Sequence, residues 1–273
     1  MKIVMTILVR NEDDIIGENL KYHLNNGVDY FIITDHHSTD GTLNTLREYE
    51  RLGVAEVRVE ESNEHHQAQW VTEMARKAHK TYGADWVINN DADEFWIPKK
   101  GNLKDFFGTV DPNIYKIHAP RFDFFYRPFK DIKFYDAMIF REFVRRWTKC
   151  CHRASSDIIV EVGNHDANSE SLSKTSSSVE SINLIVQHYP VRTLERYKKK
   201  MIDGTTSVLS TPGIPQEMFF HWKQALQAIQ NNTFEDFIKI SMKTDDQIND
   251  EIRNYKLILD DTLQKFFFDM SAH

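Results

Sequence analysis

Asp85-Trp86-Val87-Ile88-Asn89-Asn90-Asp91-Ala92-Asp93-Glu94-Phe95 is the stretch that decides how this chain is read. Trp86-Val87-Ile88 begins a buried strand, and the chain then turns abruptly polar and acidic. Carboxylates packed this tightly repel one another. A divalent cation that prefers oxygen ligands, Mg²⁺ or Mn²⁺, would offset the repulsion and bridge to phosphate oxygens. The plain alternative is an acidic turn at a strand end, and an isolated Asp-x-Asp is common in turns. An EF-hand calcium loop is disfavoured, because the sixth position from Asp91 is Trp96 where that loop needs glycine.

Upstream of this stretch the same strand-then-polar rhythm repeats. Ile3 to Val9 is a short branched apolar run, followed by Ile16, Leu20 and Leu24 at helical spacing and closed by Asn26-Gly27. Tyr30 to Thr34 predicts a second strand, Ser38-Thr39-Asp40-Gly41 a turn, and Leu43 to Leu52 a helix stopped by Gly53. Ala55 to Val59 alternates as a third strand, and Gln67 to His79 carries Trp70, Met74 and Ala78 on one helical face. Strands alternating with helices imply right-handed crossovers and a parallel sheet covered on both faces. Ligands of such sheets collect at the carboxyl ends of the strands, where strand order reverses. Three polar clusters fall there: Arg10-Asn11-Glu12, Asp35-His36-His37 and Asn89 to Glu94. A helix cap would explain any one of them, whereas three on one edge suggest a site. No Gly-x-Gly-x-x-Gly or P-loop follows a strand, which disfavours dinucleotide and P-loop sites.

Beyond Pro98 the rhythm changes. Ile114 to Ala119, Asp157 to Val162 and Ile182 to Gln187 predict further strands with no regular helix between them, so the sheet is expected to become mixed. Ser169 to Ser181 is serine-rich and reads as a mobile loop. From Glu195 the chain reads as helical, with Phe219, Trp222, Leu226 and Ile229 on one face, and Ile248, Ile252, Leu259, Leu263 and Phe266 along the last helix. Residues 1–205 are expected to form the main α/β domain and 206–273 a helical extension packed on it.

The 273 residues carry 41 acidic and 34 basic side chains, a formal charge of −7, which argues against a nucleic-acid binder relying on general phosphate attraction. Hydrophobic residues at 41% and charged ones at 27% fit a globular chain and exclude wholesale disorder. No apolar window is long enough to span a bilayer. Met1 to Val9 has the look of a short signal sequence, but Arg10-Asn11-Glu12-Asp13-Asp14 follows it without a small-residue cleavage pattern, which favours a buried first strand. The adjacent Cys150 and Cys151 offer no disulfide framework and no spaced metal quartet, so a reducing cytoplasm is the expected location.

The ordered motifs Asn11-Glu12, Asp35-x-x-Ser38-Thr39-Asp40-Gly41-Thr42 and Asp85-Trp86-Val87-x-x-x-Asp91-x-Asp93-Glu94-Phe95 resemble nucleotide-sugar glycosyltransferases of the GT-A fold. The closest likeness is to the family-two-like branch whose acidic motif reads Asp-x-Asp-Glu-Phe. Gly163-Asn164-His165 and His188-Tyr189-x-Val191-Arg192-Thr193, with Lys198, Lys199, Lys200 and Gly204, are similar to that branch's carboxyl-terminal pattern. The resemblance implies a mixed, mainly parallel sheet flanked by helices, and a metal-dependent transfer of a sugar from a nucleotide-sugar donor to a glycan or glycolipid-linked acceptor, with inversion.

It also implies roles. Asn11, Glu12 and Asp35 would contact base and ribose, joined by Gln67 or Gln69; Asp91 and Asp93 would hold Mn²⁺ or Mg²⁺ against the diphosphate, with His165 as third ligand. Arg192, Lys198 and Lys199 would stabilise the leaving diphosphate, although a basic helix face is the ordinary explanation of such a run. The acceptor hydroxyl needs a base, for which Asp123 and Asp166 are the candidates. The chain lacks the Gln-x-x-Arg-Trp motif of family-two enzymes, so their base is not carried over. Peripheral association with a membrane is compatible with a glycolipid-linked acceptor. Two other classes remain open: a sugar nucleotidyltransferase, which would usually show a glycine-rich loop after the first strand, and a non-catalytic carbohydrate-binding protein using Trp96, Phe122, Phe124, Phe125 and Tyr126.

Overall fold

A computed structural model describes residues 1–127, 130–145, 147–213, 219–238 and 244–271. In chain order the first elements are β1 (Ile3–Val9), α1 (Ile16–Asn25), β2 (Tyr30–His36), α2 (Thr42–Arg51), β3 (Ala55–Glu60), α3 (Gln67–Lys80), β4 (Trp86–Asp91), β5 (Glu94–Pro98), α4 (Leu103–Gly108) and β6 (Ile114–Asp123). There follow α5 (Phe134–Ala137), β7 (Phe140–Glu142), β8 (Thr148–Arg153), β9 (Ile159–Val160), β10 (Ala167–Asn168), α6 (Glu170–Ser173), β11 (Ser177–Glu180) and β12 (Leu184–His188). The remainder is α7 (Leu194–Ser210), α8 (Phe220–Gln230), α9 (Phe234–Ile238), α10 (Asp245–Arg253), β13 (Leu257–Leu259) and α11 (Thr262–Ser271). The chain divides into two compact units, Met1–Arg121 with Trp147–Gln187, and Phe122–Arg146 with His188–His273. All of α7, which straddles position 205, falls in the second.

The first unit is built on a sheet of order β3-β2-β1-β4-β8-β6-β12-β5, with β11 added alongside β6. β1 pairs parallel with β2 on one side and β4 on the other, so strand order reverses at β1. β8 runs antiparallel to both β4 and β6 and makes the sheet mixed, as expected from the loss of helical spacing past Pro98. One face buries Leu20, Leu46, Leu103 and Phe107 from α1, α2 and α4 against Ile7, Ile33 and Ile88; the other buries Val71, Met74, Ala75 and Ala78 of α3 against Val4, Ile32 and Val87. Helices therefore cover both faces, and the branched apolar runs read as strands because neither face meets water.

Several expectations are corrected. Asp157 to Val162 is not one strand: only Ile159–Val160 pairs, with β10, and a 3-10 turn over Val162–Asn164 follows. The serine-rich Ser169 to Ser181 segment is not a structureless loop but holds α6, capped by Ser169, and β11, an exposed edge strand needing only backbone bonds to β6. Leu259 does not lie along the last helix. The chain turns at Tyr255, whose φ is +56°, and Leu257–Leu259 pairs antiparallel with β7, separating α10 from α11.

In the second unit, α7 and α8 meet at Gly204, where a Cβ would lie 2.6 Å from the Trp222 ring, so the close approach requires glycine. Met201, Ala225, Phe234 and Ile238 form that unit's core with Tyr126 and Val191. No helix among the described residues is long and apolar enough to cross a membrane.

Candidate active site

Strand register carries the polar clusters to one edge. Val9 pairs with Asp35, and Leu8 with Asp91, so Arg10-Asn11-Glu12 leaves β1 between the ends of β2 and β4. This is the reversal point of an open α/β sheet. Asn11 takes a positive φ of +54°, and its Oδ1 accepts from Thr39 N at 2.8 Å while its own N–H donates to Ser38 Oγ at 2.9 Å. Glu12 is buried; its N–H donates to Thr42 Oγ1, and its carbonyl accepts from Ile15 and Ile16, which starts α1. Asp35 is 1% exposed; one carboxylate oxygen accepts from Ser38 N and the other has no hydrogen-bond partner among the described residues. A buried carboxylate oxygen left this way is costly, and a ligand N–H or O–H would satisfy it.

The acidic turn after β4 is fixed from behind by a buried polar network. Asn19 on α1 donates to the carbonyls of Ala92 and Glu94 at 2.9 and 2.7 Å, and its Oδ1 accepts from Asn90. Trp96 Nε1 donates to Asn90 Oδ1 and Trp96 N to His23 Nε2, so His23 carries its proton on Nδ1, toward the Asn19 carbonyl. Burial lowers the His23 pKa to about 3 and keeps the ring neutral.

At the front of the turn stands a residue that sequence reasoning missed. Lys149, near the start of β8, places its ammonium 2.5 Å from Asp91 Oδ2, 3.0 Å from Glu94 Oε1 and 2.7 Å from the Gly163 carbonyl. Burial alone would lower its pKa, but Asp91 and Glu94 outweigh burial and hold it above the ordinary lysine value. Arg121 lies 3.6 Å from the wholly buried Glu94. Lys149 and Arg121 thus balance Asp91 and Glu94, as buried charges require. The only sequence signal was a lysine directly before the adjacent Cys150 and Cys151.

The turn bearing His165 closes the cluster. Gly163 has φ +76°, and a Cβ there would sit 2.7 Å from the His165 ring. Gly163 N donates to Gln67 Oε1, Asn164 Nδ2 donates to Asp91 Oδ1 at 2.9 Å, and His165 Nδ1 lies 2.8 Å from the Thr148 carbonyl. Burial and then the Lys149 charge lower the His165 pKa, which favours a neutral imidazole with its lone pair on Nε2. Trp147, 63% exposed, sets its ring 5.9 Å from that of His165.

The carboxylate and imidazole chemistry suits Mn²⁺ or Mg²⁺, and His165 has the tautomer a ligand needs. The arrangement does not fit. Both Asp91 oxygens are engaged, by Lys149 and Asn164, and Asp91, Asp93 and His165 do not form a group with ligand atoms all within 4.8 Å. Among the described residues only His118, Cys150 and Asp166 form such a group, and there Lys116 already bonds Asp166 at 2.6 Å.

The remaining expected site residues are placed as follows. Asp93 is 3% exposed. Gln67 supports the Gly163 turn, whereas Gln69 is exposed on α3 and donates to Glu73. Asp166 receives Lys116, His118 and Ala167 N on one oxygen; burial would raise its pKa, but the Lys116 ammonium wins and lowers it, which makes it a weak base. The second unit contains Asp123, 2.7 Å from His188 Nδ1, together with buried Arg192, which donates to the Tyr189 carbonyl, Lys198 over the Phe234 ring, and exposed Lys199. Phe124 and Tyr126 are buried, so these two aromatics of the carbohydrate-binding alternative are packing.

TarS 1–349 from S. aureus in complex with UDP-GlcNAc is 14% identical, covering 90% of this chain and 78% of its own, at a TM-score of 0.48. The mannosyltransferase PcManGT from Pyrobaculum calidifontis, in complex with GDP-Man and Mn²⁺, is 13% identical over 76% of this chain and 61% of its own, at 0.45. Glucosyl-3-phosphoglycerate synthase from Mycobacterium tuberculosis is 17% identical over 44% of this chain and 43% of its own, at 0.31. No curated protein matches the chain significantly. The model of glycosyltransferase family 92 matches residues 4–255, from the first strand to the turn before β13. The chain therefore belongs to glycosyltransferase family 92.

Proposed function

We propose that this glycosyltransferase takes its sugar from a nucleotide-sugar donor bound at the carboxyl edge of β1, β2 and β4, and transfers it with inversion to a hydroxyl of a glycan or glycolipid-linked acceptor. The observation that carries the reading is the register of Val9 with Asp35 and Leu8 with Asp91, with an unsatisfied Asp35 oxygen at that edge. Asp35, Asn11 and Glu12 would recognise base and ribose. Asp93 and the Lys149-held turn would face the diphosphate. Inversion fits direct displacement, which needs a single base. Of the two carboxylates considered for that base, Asp123 is favoured, acting through the hydrogen-bonded His188: the imidazole would take the acceptor's proton while Asp123 orients it and stabilises its protonated form, whereas Asp166 is tied to Lys116.

Purified protein is expected to hydrolyse or transfer from at least one UDP-, GDP- or dTDP-sugar, and Asp93→Asn is expected to remove that activity. Absence of both turnover and nucleoside diphosphate binding across the panel would overturn the reading. Pyrophosphate released from a nucleoside triphosphate would point instead to a nucleotidyltransferase. Metal dependence enters as a condition of the assay. Activity confined to the Mn²⁺ or Mg²⁺ arm, and lost in chelator, would mean that Asp91 exchanges Lys149 for a cation.

A further inference from the structure

In the second unit, α5 and α11 line a cavity of about 430 Å³, a size suited to a small ligand. Its apolar side is a stacked pair, Tyr135 on Phe267, with ring centroids 4.5 Å apart and 22° between planes. Beside it Phe268, also lining the cavity, stands 71% exposed. Its polar side is Asp136, Asp261 and Gln264. Gln264 Nε2 donates to one oxygen of Asp136 at 3.3 Å, and Lys265 pairs with one oxygen of Asp261 at 2.9 Å. The second oxygen of each carboxylate and the Gln264 carbonyl have no hydrogen bond among the described residues and are open to solvent, so acceptors available to a ligand dominate the wall.

We propose that this cavity is a saccharide-binding site for a neutral sugar of a glycan chain, separate from the residues of the candidate active site. Two carboxylates against one ammonium leave the lining net negative, which repels phosphorylated and uronic ligands. A pyranose supplies what the wall lacks: adjacent hydroxyl donors for the Asp136, Asp261 and Gln264 oxygens, and a face of weakly positive C–H groups for the negative face of Phe268. Nothing in this assignment requires a nucleotide, so it goes beyond the donor chemistry.

The test uses the full chain and ligand-observed NMR with neutral tetrasaccharides of β-1,4-linked glucose, N-acetylglucosamine, mannose and galactose, and with spermine as a cationic control. At least one tetrasaccharide is expected to bind, and Phe268→Ala to weaken it about tenfold, equivalent to about 1.4 kcal/mol. Because Phe268 is largely exposed, the variant should keep the wild-type melting temperature. Gln264→Ala is expected to weaken the same sugar while leaving nucleoside diphosphate binding unchanged. The site is refuted by no binding across the panel, by binding that survives both substitutions, or by spermine competing for the cavity where no sugar binds. Saccharide binding without any nucleotide binding would sink the donor-site reading and leave this one standing; the reverse result would do the opposite.

Discussion

The first unit holds two lysine–aspartate pairs whose buried lysines stand on opposite faces of the sheet, and the two pairs differ in what surrounds them. Side chains alternate along β8 and β6, so Lys149, with Cys151, Ile117 and Ala119, faces the α1 side, while Lys116, with His118, Cys150 and His152, faces the α3 side. Asp91 and Asp166 are similarly exposed, at 28% and 32%, and both lysines stay charged. Lys149 serves two carboxylates of the acidic turn and a carbonyl of a second chain segment, and one of those carboxylates, Glu94, is wholly buried. Lys116 serves one half-exposed carboxylate and Asn168. The same pair chemistry therefore organises a site around Lys149 and does little more than neutralise itself around Lys116.

The sharpest way to break this contrast is to remove each lysine. Lys149→Met takes the nearer cation from the wholly buried Glu94, leaving the Arg121 guanidinium 3.6 Å away, and is expected to cost roughly 3–5 kcal/mol in urea unfolding, as for a broken buried pair. Lys116→Met is expected to cost about 1 kcal/mol, because Asp166 can turn to water. Equal losses would show that the two faces are equivalent. Next in size, Gly163→Ala strains a positive φ and drives a methyl group into the His165 ring, at about 1–3 kcal/mol. Its donor-sugar activity should fall by more than the lost stability explains, whereas an equal loss would make the turn a scaffold only.

Acid titration compares the faces again. His23 behind the acidic turn is depressed to about 3, and His152 beside Lys116 to about 4, both chiefly by burial. A depressed histidine is neutral in the fold and protonated when unfolded. Its stabilisation is therefore complete above about pH 6.5 and is lost as pH falls, at about 1.4 kcal/mol per pH unit for each group, until the folded value is reached. Urea midpoints measured from pH 7 to 4.5 should fall accordingly, and His23→Gln or His152→Gln should each flatten the curve. The smallest effect is expected at Asp166. With Lys116 holding its carboxylate, Asp166→Asn should change turnover by no more than about twofold, and a collapse of kcat at unchanged stability would return it to the role of base.

The α/β half was legible because its strands are buried on both faces and its polar residues wait at the strand ends, a pattern that Ile3–Val9, Tyr30–His36 and Trp86–Asp91 repeat. β8 was not legible, since Thr148-Lys149-Cys150-Cys151-His152-Arg153 has neither apolar continuity nor polar alternation. It is a strand because β4 and β6 offer it backbone partners on both sides. β11 was hidden for the opposite reason, being an edge strand whose four residues are all exposed. The same limit applied to the site. Asp35, Asp91 and Asp93 announced themselves by position, but the partner that occupies Asp91 comes from 58 residues further along the chain.

Asn19 holds the carbonyls of Ala92 and Glu94 from 73 and 75 residues away. The shape of the acidic turn is thus set during folding, and a donor meets it already ordered. For protein engineering this means that residues 91–94 are not a portable cassette. Grafting them onto another scaffold without the α1 face that carries Asn19 and His23 would transplant the carboxylates and leave their orientation behind.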